Sequence, residues 1–146
     1  MKKFKFALDN ILKYRQSIED QEKELLARAM QKVQVEETVA RKLDSEKHLH
    51  LSSFEIHTSN IEKIRQQESY LISLDERIKK QQKKLEQAIR TSENIRDRVV
   101  TATSNRKILE NLREKQLKDY RQELARAEQN TLDEVGIASY IRKEKW

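Results

Sequence analysis

From Leu74 onward, seam positions recur in alternating steps of four and three: Leu74, Ile78, Gln81, Leu85, Ala88, Ser92, Ile95, Val99 and Ala102. Charged side chains fill the positions between them. Heptads sustained over this length draw one narrow stripe along an α-helix and predict a coiled-coil partner for it. Leu109, Leu112, Tyr120, Leu124 and Ala127 continue the row with a shift of phase. The first third of the chain is less regular. Phe4, Leu8, Ile11, Ile18, Leu25, Ala29, Val39 and Leu43 follow steps of three, four or multiples of seven, with Arg15, Glu22, Lys32 and Glu36 on the seam positions between them. A second row, Leu12, Leu26, Met30, Val33 and Ala40, lies beside the first and widens the stripe.

Between the two periodic segments lies HLHLSSFEIHTSN, residues 48–60, poor in charge and without clean periodicity. It ends in Ser59-Asn60-Ile61-Glu62, a capping-box spacing in which the serine accepts from the first helical turn and the glutamate reaches back. A second such spacing, Thr131-Leu132-Asp133-Glu134, predicts a break near 130. The expected organisation is a single coiled-coil domain, 1–146: helix 1 over about 4–51, a turn over about 52–59, helix 2 over about 60–130, and a tail, 131–146, as a short helix or frayed end. At about 1.5 Å per residue the second helix outruns the first. The predicted fold class is therefore all-α: a long two-helix antiparallel coiled-coil hairpin. A monomeric hairpin is favoured, although the same periodicity also suits a four-helix bundle of two chains or a rod dimerising in parallel.

Composition sharpens this picture. The 146 residues include no Pro, no Cys and one Gly, Gly136. Tight hairpins depend on glycine and proline, so a sheet built on them is not expected and long uninterrupted helices are. The 31 basic and 25 acidic residues leave a net charge of +6, but their interleaving marks solvated helix faces rather than a polycationic tract. Without cysteine there is no disulfide or thiolate metal site, which fits a reducing compartment. MKKFKFALDNILKY begins basic, yet Asp9, Asn10 and Lys13 interrupt any apolar core, so no signal peptide is predicted. No apolar run approaches the roughly 20 residues of a membrane span.

Candidate chemistry is sparse. One glycine cannot build a phosphate-binding loop, and abundant carboxylates on a coiled-coil surface say nothing of acid–base work. No catalytic or cofactor-binding residue is predicted, and the chain is read as a non-enzyme. His48, His50 and His57 fall in the expected turn. Positions i and i+2 face different sides of a helix, so solvated histidines, and no metal site, are expected. The most basic run, RIKKQQKK at 77–84, wraps Lys79, Lys80, Lys83 and Lys84 around an outer face without stacking aromatics. That argues against a nucleic-acid partner, although such a run could steer an acidic one.

What remains is protein–protein interaction through side chains the seam does not need. SYLISL, residues 69–74, carries four large apolar residues, more than one stripe holds. Advancing about 100° per residue, Leu71 falls on the seam, Leu74 bridges seam and flank, Ile72 points away and Tyr70 lies on the flank. Tyr70, Leu74 and, further along that row, Gln81 are the candidate partner surface. Phe4, Leu8, Ile11 and Leu12 form an apolar face at the other end, read as packing on helix 2 or on a partner.

These stretches resemble a known family. FKFALDNILKYRQSIEDQEKELLARA, SYLISLDERIKKQQKKL and LDEVGIASYIRKE are similar to the opening, the second-helix start and the acidic tail of the FliJ family of flagellar type III export proteins. The resemblance implies a coiled coil like the central stalk of rotary ATPases. Its implied partners are the hexameric export ATPase, the cytoplasmic domain of the export gate and the export chaperones. By alignment Tyr70 and Leu74 match gate-binding positions; Arg77 and Gln81 stand where the family has a small residue and a histidine. By the stalk analogy, Phe4, Leu8, Ile11 and Arg15 would meet the ATPase. The implied location is cytoplasmic, peripheral to the inner face of the cell membrane at the flagellar base, with no cofactor. A scaffold coiled-coil dimer, a virulence type III stalk protein and a basic nucleic-acid-associated protein are the rival readings.

Overall fold

The computed structural model describes residues 2–54 and 60–145. Two helices account for nearly all of them: α1, Asp9–Ser52, and α2, Ile61–Glu144. No strand occurs among the described residues, and the second helix is the longer, 84 residues against 44. The helices pack against each other as an antiparallel hairpin.

Helix α1 begins at Asp9 rather than near residue 4. The Asp9 N–H donates to the Phe6 carbonyl at 3.2 Å, which turns the chain into the helix, and the Asp9 carboxylate sits at the positive end of the helix dipole. Keeping residues 2–8 out of the helix lets Phe6 tuck into the core. At the other end no glycine is at hand to stop α1. Serine hydroxyls take the last carbonyls instead: Ser52 donates to Leu49 at 2.9 Å and Ser53 to His50 at 3.2 Å. Helix α2 opens on Asn60, whose Oδ1 accepts from the Glu62 and Lys63 N–H groups at 3.1 and 3.4 Å. Ser59, the expected cap, lies outside the described residues.

The chain divides into two compact units, Asp20–Thr101 and Met1–Glu19 with Ala102–Trp146. Within Asp20–Thr101, Glu22 pairs with Arg98, Glu36 meets Gln81, Lys47 pairs with Asp75, and His50 meets Gln67. Numbers rise on α1 as they fall on α2, so the pairing is antiparallel. On α2 the seam is the expected row, with Leu74, Gln81, Ala88 and Ser92 its most buried members. On α1 the inward row draws on both expected rows. Leu26, Val33 and Ala40 turn inward, while Leu25, Met30 and Val39 are exposed. The inward row steps without a gap through Glu22, Leu26, Ala29, Val33, Glu36, Ala40 and Leu43. Its two acids find partners across the seam on Arg98 and Gln81, so burying them is affordable where burying a lone charge is not.

In the unit that holds the termini, Phe6, Leu12 and Ala102 are buried, and the row on α1 passes through Glu19. The Phe4 and Tyr120 rings lie 5.7 Å apart, and the Tyr120 hydroxyl donates to the Lys2 carbonyl at 2.7 Å. Arg106 donates through Nε to buried Glu19 and through Nη1 to Glu110 at 2.6 Å. These bonds, to Glu19 first and Glu110 second, raise the guanidinium above its ordinary value.

No break occurs near 130: α2 runs through to Glu144. The Thr131 hydroxyl, instead of capping a new helix, donates back to the Ala127 carbonyl at 2.9 Å, and Gln129 bonds Asp133 across one turn at 2.9 Å. Residues 128–145 are exposed throughout. Gly136 sits in this stretch without positive φ, and a Cβ there would meet nothing within 4 Å. Gly136→Ala is therefore expected to add about 1 kcal/mol of local helix stability. The gain should appear as higher 222 nm ellipticity with an unchanged global melting midpoint, because nothing packs on this stretch.

Candidate functional site

Within Asp20–Thr101, the last turns of α1 and the first of α2 bring three aromatic rings together. The His50 ring meets Tyr70 edge-on, centroids 4.6 Å apart and planes at 63°. Phe54 approaches the other way, at 6.3 Å. His50 Nε2 lies 3.0 Å from the Gln67 carbonyl oxygen. A carbonyl only accepts, so Nε2 must carry the proton, and in the neutral ring Nδ1 is left as the acceptor. His50 is thus part of the seam, and not the solvated histidine the sequence suggested; His48 is exposed, and His57 lies outside the described residues. No group of metal-ligating side chains occurs among the described residues.

The three candidate partner residues of α2 do not share one surface. Tyr70 is 41% exposed and presents one side of its ring to solvent. Leu74 is 0% exposed, the largest fully buried side chain, and Gln81 is 6% exposed, its amide donating to the Glu36 carbonyl at 3.0 Å and to the Glu36 carboxylate. The row from Tyr70 therefore dives into the seam after a single turn. Ile72 and Arg77 remain outside. The Lys47–Asp75 ion pair, 2.8 Å, links the two helices in the same unit.

In the terminal unit, Phe4, Leu8 and Arg15 are half-buried and Ile11 is 47% exposed. Sequence reasoning missed Tyr14, 62% exposed and three residues from Ile11 on the same side of α1. The i,i+3 spacing was legible, but Tyr14 lies on neither apolar row and so was not drawn into either.

An antiparallel helical pair with a polar-laced seam and a propped aromatic ring at its surface belongs to the coiled coils, proteins that act through what their faces contact. A family model described as Flagellar FliJ protein matches residues 4–145, and the chain belongs to that family. This makes it a component of the flagellar export apparatus. No curated protein and no solved structure matches it. No helix among the described residues is long and apolar enough to cross a membrane.

Proposed function

We propose that this chain is a non-enzymatic, stalk-like element of flagellar type III export. It engages the export ATPase hexamer through Phe4, Leu8, Ile11 and Arg15 in the terminal unit, and the cytoplasmic domain of the export gate through Tyr70. In this role it also handles export chaperones and sits in the cytoplasm, peripheral to the inner face of the membrane. The observation that carries the reading is the family match over nearly the whole chain. The half-exposed ring of Tyr70, held edge-on by His50, supports its gate half. An aromatic that already packs against a neighbour in the free protein has less side-chain freedom to lose on docking. Leu74 and Gln81 serve the gate surface from below, by fixing the helix that carries Tyr70.

The test is a pull-down with the cytoplasmic domain of the gate. Tyr70→Ala is expected to weaken binding about tenfold or more, as truncating an aromatic anchor does, with an unchanged circular dichroism spectrum. Wild-type binding by Tyr70→Ala would remove the residue from the surface.

A further inference from the structure

A second surface lies away from Tyr70, where two alanines face each other across the seam of Asp20–Thr101. Ala29 on α1 and Ala88 on α2 leave an open groove of about 540 Å³ between the helices. Lys32 stands on its α1 lip, and Lys83, Lys84 and Thr91 on its α2 lip. Glu36 also lines it, but its carboxylate is bound to the Gln81 amide. None of the three lysines forms an ion pair with a described residue. From Arg77 to Thr91 there are six basic side chains, Arg77, Lys79, Lys80, Lys83, Lys84 and Arg90, against Glu86 alone.

Beyond the groove's own lining, the same face of α1 carries an apolar element too. Leu25 and Val39, each 38% exposed, lie seven residues before and after Lys32 on the same face. A seven-residue recurrence beside an existing seam is the spacing a further coiled-coil strand reads, and small residues on the floor let a backbone approach closely. The pattern of unanswered cations over this strip calls for the opposite charge. We propose that this groove seats an acidic amphipathic helix of a partner protein, packed along Ala29 and Ala88 as a third strand, with its apolar edge against Leu25 and Val39 and its carboxylates on Lys32, Lys83 and Lys84. A phosphate backbone fits less well, because residues 77–94 contain no aromatic side chain for bases to stack on. A lipid surface fits less well because a concave floor of alanines has nothing bulky to insert.

The proposal is independent of the gate and ATPase reading, since none of those residues lines the groove. Its probe is a fluorescent synthetic helical peptide of about four heptads, with Leu at a and d, Glu at e and g and Gln elsewhere. A matched peptide with Lys at e and g is the control. The full-length chain is expected to bind the acidic peptide in anisotropy titrations, more weakly as salt rises, and to ignore the basic one. The triple variant Lys32→Glu, Lys83→Glu, Lys84→Glu should bind at least tenfold more weakly. Ala29→Gln, which fills the floor without adding charge, should also lose binding, and Lys115→Glu with Lys118→Glu, on exposed positions of the other unit, should bind as wild type. Equal binding of both peptides, or wild-type affinity in the triple variant, overturns the proposal. So does failure of the acidic peptide while duplex DNA or phosphatidylglycerol vesicles bind through the same lysines.

Discussion

Leu74→Ala lowers the stability of the protein by about 2–5 kcal/mol, the cost of deleting a fully buried leucine and leaving its cavity in the seam. The side chain has no exposed surface, and α2 is pinned on either side of it by the His50–Gln67 contact and the Gln81–Glu36 bond. Such anchoring limits the collapse that would refill the void, which favours the upper part of that range. Tyr70→Ala, one turn away, should cost far less, because a large part of its ring already faces water. Thermal and urea denaturation followed by circular dichroism separate the two. A wild-type midpoint for Leu74→Ala would mean that the side chain faces solvent and stands beside Tyr70 as a surface residue after all. The contrast also protects the binding experiment, since a loss of gate binding in Leu74→Ala without a stability measurement would say nothing about contact.

Glu19→Lys has the second large effect. It sets an ammonium against Arg106, whose guanidinium donates to Glu19 and Glu110 inside the terminal unit. Glu19 is among the most buried side chains of the molecule, so the new like-charge contact is poorly screened by salt. The expected result is a clear drop of the melting midpoint that persists at high ionic strength. The charge swap Glu19→Arg with Arg106→Glu should recover roughly half of that loss or more, since interacting sites are non-additive. If Glu19→Lys melts as the wild type does, the pair contributes nothing to the fold. The pH dependence has a definite sign. A cation raised above its ordinary value stabilises the folded state fully below the unfolded-state value and loses that contribution only as pH rises through the folded one. For a guanidinium that window lies beyond the alkaline end of ordinary experiments, so Arg106 itself imposes no pH dependence near neutrality.

The α2 seam was legible in advance because Leu74 to Ala102 keeps its four-three step without error, and burial follows the same row. The α1 seam was not. There the bulky Ile11, Leu25 and Val39 look like the core but stay exposed, and the inward row passes instead through Arg15, Glu19, Glu22 and Glu36. Hydrophobicity ranks single residues, whereas burial of a charged one depends on what stands opposite, and α2 supplies Arg106, Arg98 and Gln81. The same reason explains the candidate partner residues. Phase placed Tyr70 on the flank and Leu74 on the border, but only the packing of α1 shows that the border is sealed and that His50 props the ring.

By itself, then, the sequence determined two long helices and the heptad row of α2. It could do so because periodicity and missing turn residues are properties of one strand of chain. The tertiary structure decided which face of α1 turns inward, that α2 runs on unbroken to Glu144, and which apolar side chains stay exposed. Those are properties of pairs: a glutamate enters a seam only if an arginine or an amide waits there.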